Sequence, residues 1–319
     1  MDSRKRKIAW LIPAHNEMAQ TLDYRAATET TPQIGSRWSE VSRTVESLKQ
    51  SITRDETELR VFVTDDGSTD GCCDGIPGCV RHAEPFGTAI SLNEMTACAM
   101  DWGADVIGIA DAHMRFDPES LEILADKALS EICVVTGTSK GMDTGLLCGR
   151  GCDLRRVPQD LIACKWTSPV WVNGWGRILG PMGAVYAMSI ETIHALMNPT
   201  GLLWDNAAGL WGYQEESLAI KCALLEIPMH VNQYWGATHL YRAANPTPNV
   251  GEEKRKNIIW CLSAYFHPDT FNAYFRERTQ HWFGPDFVDE CLLQNAAVER
   301  TWTAGQEIAF IASLAWDKD

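Results

Sequence analysis

The stretch IGIADAHMRFDP (residues 107–118) closes a short apolar run and sets a carboxylate, Asp111, two residues before an imidazole, His113. A plain turn favours Gly, Asn or Pro there. Side chains at i and i+2 of an extended segment point the same way, so Asp111 and His113 can meet one divalent cation. Oxygen ligands alone suit Mg2+, and an added imidazole moves the preference toward Mn2+ or a similar transition metal. With coordination positions left open, such a cation would also hold a diphosphate. The competing reading is an Asp cap beside a surface histidine. A second polar cluster, VTDDGSTD (63–70), also follows an apolar run. Asp65 and Asp66 can accept hydrogen bonds from a nucleobase N–H or ribose hydroxyls, or they can form an Asx-rich turn. Trp166, Trp171, Trp175, Trp204, Trp211 and Trp235 offer rings for an aromatic-lined acceptor cleft, and core packing competes for at least half of them.

The elements that must carry these clusters alternate. IAWLIPA (8–14) reads as a buried strand and SEVSRTVESLKQSI (39–52) as a helix with apolar residues at helical spacing. A strand over 59–65, a helix over 89–103 closed by Gly103, a strand over 105–113, a helix over 118–129 and a strand over 132–138 follow. This alternation predicts a mostly parallel sheet flanked by helices. In such sheets ligands bind beyond the carboxyl ends of the strands, where both polar clusters fall. Beyond residue 140 the pattern is less regular and rich in Trp and Gly. GAVYAMS reads as a strand, and EESLAIKCALL and NIIWCLSAYF read as helices. The expected layout is one continuous α/β domain over 1–270, with a nucleotide-binding half at about 1–140 and an acceptor half at about 141–270. A helical appendage over 271–319 follows.

Composition narrows the function classes. The 319 residues are 45% hydrophobic and 22% charged, with a net charge of -14. Such acidity disfavours wrapping nucleic acid through phosphate contacts. No segment approaches the ~18 uninterrupted apolar residues of a membrane span. The basic start is followed by an apolar run, Ile8 to Pro13, too short for a signal-peptide core, so a cytoplasmic protein is expected. The 11 cysteines match no common zinc spacing, and reduced thiols are the expected state. A zinc site at Cys72, Cys73, Cys79 and His82, or at Cys148 and Cys152, is the alternative.

IPAHNE, VTDDGSTD and an acidic strand-end metal motif, in this order, resemble the GT-A glycosyltransferases of family 2 type. The DxH motif Asp111-Ala112-His113 is similar to the Asp-Ser-His of the polypeptide N-acetylgalactosaminyltransferases, where most GT-A enzymes show Asp-x-Asp. Arg43-Thr44-Val45-Glu46-Ser47, GPMGAVYAMS (180–189), Trp211-Gly212 followed by acids, and His239-Leu240-Tyr241-Arg242 resemble further blocks of that family. The resemblance spans roughly residues 8–270, without the family's lectin domain or membrane anchor. It implies a GT-A, Rossmann-like fold and a metal-dependent transferase using a UDP-sugar donor, Mn2+ (or Mg2+) and a hydroxyl acceptor, with retention of configuration. It implies that Asp111, His113 and His239 ligate the metal and that Arg242 pairs with a donor phosphate. His15, Glu17, Asp65 or Asp66 and Trp211 would line the nucleotide site, and loop 243–253 would close over donor. Glu215, with Glu216 as second choice, would be the important acid. The family's Arg before its second helix has no counterpart in Gly87-Thr88-Ala89-Ile90, which leaves the donor open.

The acceptor could be a protein Ser or Thr, a saccharide, or a hydroxylated DNA base presented out of the stack. An inverting family 2 type enzyme is the alternative reaction. A nucleotidyltransferase shares the architecture, but IPAHNE is not its Gly-rich basic loop. A non-catalytic sugar-binding domain should have lost a metal ligand, and all three candidates are present.

Overall fold

The computed structural model describes residues 4–17, 39–142, 144–158, 161–205, 209–240 and 250–316. The strands are β1 (Arg6–Ala14), β2 (Thr57–Asp65), β3 (Val80–Arg81), β4 (Val106–Ala110), β5 (Met114–Phe116), β6 (Val134–Gly137), β7 (Ser139–Gly141) and β8 (Leu147–Gly149). After them come β9 (Cys152–Val157), β10 (Leu161–Trp166), β11 (Trp171–Val172), β12 (Trp175–Ile178), β13 (Val185–Ser189), β14 (Met229–Asn232), β15 (Ala237–His239) and β16 (Ala315–Trp316). The helices are α1 (Glu40–Gln50), α2 (Thr88–Asp101), α3 (Ser120–Ser130), α4 (Ile190–Met197) and α5 (Gln214–Leu224). The C-terminal part adds α6 (Val250–Tyr265), α7 (Pro268–Tyr274), α8 (Arg276–Gln294) and α9 (Ala304–Ser313).

Nine strands form the central sheet in the order β11-β12-β14-β6-β13-β4-β1-β2-β3. The half running from β4 to β3 is parallel: β1 pairs parallel with β2 and β4, and β2 with β3. The other half is mixed, because β13 runs antiparallel to both β4 and β6. Strand β1 shows why the sheet is covered twice. Ala9 and Leu11 enter one core cluster, while Ile8, Trp10 and Ile12 enter the cluster on the opposite face. Trp10 stands beside Gly108 of β4, and a Cβ there would sit 2.6 Å from the indole. That close approach requires glycine at 108.

The capping residues set helix starts. Ser39 accepts from Ser42 N at the start of α1, and Ser189 accepts from Thr192 N where β13 turns directly into α4. Two smaller sheets complete the fold, β10-β9-β16 and β5-β15-β7-β8. The second of these contains His239, at the end of β15.

Three sequence expectations change. The strand over 105–113 stops at Ala110, so Asp111 to His113 form a turn rather than an extended run. Helix α6 begins at Val250, so residues 250–253 of the expected lid loop are helical, and 241–249, with Arg242, lie outside the described residues. The helices after residue 270 are not peripheral. Phe271, Phe275, Val288, Cys291, Trp302 and Ile311 are buried in the main core, and β16 pairs with β9. Their apolar faces cover side chains of α6, and an uncovered core would otherwise face water. Among the described residues, no helix is long and apolar enough to cross a membrane, and ten cysteines are free thiols.

Candidate active site

A cavity of about 860 Å³ opens at the carboxyl ends of β1, β2 and β4. His15, Glu17, Asp66, Asp111, His113, Trp211, Glu215, Glu216 and His239 all line it. This is the position at which an open parallel sheet receives ligands.

Asp111 leaves β4 with its N–H bonded to Ala184 O at 2.9 Å. The turn Asp111–His113 is pinned from below by α1. The buried Thr44 hydroxyl contacts Ala112 O at 2.9 Å and Met114 O at 3.1 Å, and it accepts from Met114 N at 3.0 Å. Ser47 Oγ accepts from Phe116 N at 2.7 Å. These bonds give the motif Arg43-Thr44-Val45-Glu46-Ser47 a physical role: it clamps the turn and β5 to α1.

His239 comes from 126 residues further along the chain, through β15. That strand runs antiparallel to β5, with His239 opposite Met114, and Leu240 N bonds to His113 O at 3.1 Å. The pairing brings His239 Nε2 to 3.0 Å from Asp111 Oδ2 and the His113 and His239 ring centres to 4.8 Å. One ligand atom from each of Asp111, His113 and His239 lies within 4.8 Å of the others. Glu17 Oε2 accepts from His113 Nδ1 at 3.2 Å, the outer carboxylate contact that orients metal-bound histidines. One carboxylate and two imidazoles form a donor set that fits Mn2+ or a similar cation. Burial works to raise the Asp111 pKa. The hydrogen bond from His239 and the nearby His113 outweigh it and hold the carboxyl below its ordinary range.

The two aspartates ending β2 separate. Asp66 lines the cavity, but its carboxylate is an internal brace. Oδ1 accepts from Phe86 N and His82 Nδ1, each at 2.8 Å, and Oδ2 accepts from Gly87 N at 2.8 Å. These bonds fix the start of α2 against the sheet. Asp65 is fully buried away from the cavity, facing Arg81 Nε at 2.8 Å and accepting from Ser68 N at 2.9 Å. A nucleotide contact by Asp65 therefore does not survive: at a strand end adjacent side chains face opposite sides. His15 is also held. Its Nδ1 bonds to Asp66 O at 2.7 Å and its Nε2 to Asn16 Nδ2 at 3.0 Å, which makes Nδ1 the protonated nitrogen.

The acids of α5 form the opposite wall. Gly212 and Tyr213 both have positive φ, 88° and 72°, and this left-handed turn swings the start of α5 toward the cavity. Glu215 packs against Gly183, where a Cβ would lie 2.6 Å from Glu215 Oε1, so a side chain at 183 would displace the carboxylate. Burial first, then the charges of Glu216 and Asp111, push the Glu215 carboxyl up to about 7. Glu216 turns aside, 3.7 Å from Lys254 Nζ and 3.5 Å from Cys164 N.

A stability consequence follows from Glu215. A carboxyl raised on folding contributes stability that is complete below its unfolded pKa and is lost as pH rises through about 7. In metal-free protein, Glu215→Gln is expected to melt above wild type on the alkaline side of neutrality and level with it at acidic pH. Melting curves across that range check this, and a variant that melts lower at every pH contradicts it.

Some cavity residues had no clear sequence signal. Lys254 begins the KRK run at the start of a helix, but nothing local says that it faces Glu216. Lys165 and Tyr186 line the cavity from β10 and β13, the latter accepting from Trp204 Nε1 at 3.0 Å. Of the six tryptophans proposed for an acceptor cleft, Trp166 and Trp211 line the cavity and the other four do not. Trp204 and Trp235 are core residues.

Residues 35–147 match the family model described as Glycosyl transferase family 2. No curated protein matches the chain in sequence. Among solved structures, the chain is similar to GalNAc-T7 crystallised with UDP, GalNAc and Mn2+, at 14% identity and a TM-score of 0.66. The match covers 96% of this chain and 57% of that one, so the chain spans little more than half of that protein's length. At this identity the likeness shows the fold alone, the GT-A fold that the sequence resemblance implied. TarS residues 1–349 from S. aureus with UDP-GlcNAc match at 14% identity over 91% of this chain and 71% of that one, with a TM-score of 0.47. The mannosyltransferase PcManGT from Pyrobaculum calidifontis, with GDP-Man and Mn2+, matches at 16% identity over 98% and 81%, with a TM-score of 0.46.

Proposed function

We propose that the chain is a metal-dependent glycosyltransferase that moves a sugar from a UDP-sugar donor to a hydroxyl acceptor. One observation carries this reading: Asp111, His113 and His239 converge at the carboxyl ends of the sheet strands, in a cavity large enough for a nucleotide-sugar. The family 2 match over 35–147 and the UDP and Mn2+ held by GalNAc-T7 on the same fold support it.

Asp111, His113 and His239 would hold Mn2+, whose charge would offset that developing on a departing diphosphate. Glu17 keeps the His113 ring in place. Asp66 and His82 hold the backbone of residues 86–87 against the nucleotide side. Burial raises the His82 ring's cost of charging, but its bonds to Asp66 and Glu94 outweigh burial and raise its pKa. Lys254, close to Glu216, supplies a cation on the α5 side.

The family resemblance supports a retaining reaction, in which the leaving group is stabilised and Glu215 positions substrate. Glu215 also favours a second reading. A carboxyl with a pKa of about 7 on the cavity wall suits a general base, which an inverting transfer needs beside the acceptor hydroxyl. The anomeric configuration of the product separates the two.

Incubation with a panel of UDP-sugars and Mn2+, scoring UDP release and donor binding, tests the assignment. UDP release with at least one donor and abolished by chelation is the expected result. Neither turnover nor binding with any donor overturns it.

A further inference from the structure

A second group of metal-ligating side chains lies on the far side of β2 from the cavity. Asp65 ends β2, and the loop after it returns Cys72 and Cys73 beneath that strand before Cys79 leads into β3. One ligand atom from each of Asp65, Cys72 and Cys73 lies within 4.8 Å of the others, and all three residues are buried. The Cys72 and Cys73 sulfurs are 3.8 Å apart. Zinc–thiolate bonds of about 2.3 Å in a tetrahedron set their sulfurs about 3.8 Å apart, so this spacing is already that of two ligands on one ion. Cys79, six residues on and just before β3, is a third thiol on the same loop and lies outside that 4.8 Å group. Asp65 Oδ2 is buried and receives no directed hydrogen bond, although Arg81 Nε lies 2.8 Å away.

We propose that Asp65, Cys72 and Cys73 form the core of a structural zinc site, which Cys79 closes when the ion binds, tying the 66–79 loop to the end of β2. Thiolates and a carboxylate are both zinc donors, and with Cys79 the set reaches the four ligands of a tetrahedral structural site. Its soft sulfur donors separate it from the oxygen and nitrogen donors of Asp111, His113 and His239, which suit a harder cation. Arg81 offsets part of the negative charge of such a set. His82, close in sequence, is not a ligand: its two nitrogens serve Asp66 at 2.8 Å and Glu94 at 2.9 Å. The site would brace the loop that follows Asp66, and with it the nucleotide side of the cavity. It stands independently of the glycosyl-transfer reading.

The test is metal content. Protein purified with reductant and dialysed against weak chelator is expected to keep about one zinc per chain. His113→Ala keeps that zinc, and the double variant Cys73→Ser, Cys79→Ser loses roughly tenfold or more of it. Should the double variant not fold, Co2+ exchange into wild type and His113→Ala decides the matter. Thiolate-to-cobalt charge-transfer absorption in both is expected. Wild-type protein that holds no zinc, or whose intact mass shows a disulfide among these cysteines, overturns the proposal. Cobalt absorption that lacks thiolate character, or that vanishes in His113→Ala, overturns it as well.

Discussion

Asp111→Asn lowers turnover by more than about a hundredfold while leaving the melting temperature close to that of wild type. A cation at a departing diphosphate supplies several kcal/mol, and each ~1.4 kcal/mol is tenfold in rate. Asparagine keeps the shape of aspartate but removes its charge, so it is a weaker ligand. The fold is expected to tolerate it, because Asp111 uses its backbone N–H, not its side chain, to join Ala184. Among the described residues, its carboxylate accepts a hydrogen bond from His239 and lies near the charges of His113 and Glu215. UDP release at saturating donor, followed across Mn2+ concentrations, checks this. Activity that recovers fully at high Mn2+ would limit the defect to metal affinity, and unchanged turnover would remove Asp111 from the site.

The largest stability effect is expected from Lys221→Met. Lys221 lies on α5, two turns after Glu215, and is fully buried. It forms an ion pair with the buried Asp205 and donates to Leu202 O at 2.9 Å and Leu203 O at 3.3 Å. Tyr265 OH donates to Asp205 at 2.7 Å and lies beside Ser217 Oγ at 2.5 Å, so the network joins α5, α6 and the 200–205 segment. Removing the lysine alone leaves the buried Asp205 carboxylate, among the described residues, with Tyr265 as its hydrogen-bond donor. Breaking such a pair costs about 3–5 kcal/mol, whereas replacing both partners with apolar groups is often near neutral. Melting should therefore fall on the order of 10 °C for Lys221→Met, and Lys221→Met with Asp205→Leu should recover most of the loss. A single variant that melts within about 2 °C of wild type contradicts this account of the network.

Local pattern carried the sequence reading a definite distance. Apart from the short β3 and β5, the helices and strands up to about residue 138 follow from period and capping: α1 and α2 are found within about two residues of their expected ends. The Asp111-x-His113 pair was readable because both residues lie on one short turn. His239 was not readable from its own surroundings. It reaches Asp111 through β15–β5 pairing, a contact between distant segments that only the resemblance had implied. The sequence left Asp65 and Asp66 both open for a related reason. Both follow the same strand, and only the loop after Asp66 decides which side chain meets the cavity and which meets Arg81. Lys254 and Thr44 act through partners far away in sequence, so their roles appear only when the chain is folded. The short strands β7 to β12 were missed because two to six residues carry too little periodicity to separate strand from loop. The docking of the C-terminal helices is also a long-range matter: Phe271, Phe275 and Trp302 hold them to the core.

The claim that organises the molecule is that Asp111, His113 and His239 hold the cation that holds the nucleotide. Calorimetric titration of UDP into wild type and His113→Ala, each with and without Mn2+, tests it most directly. The account predicts that Mn2+ tightens UDP binding to wild type by at least about tenfold, a 1.4 kcal/mol difference, and that His113→Ala abolishes this gain. Equal UDP binding with and without Mn2+ in wild type, or an undiminished Mn2+ gain in His113→Ala, would contradict it.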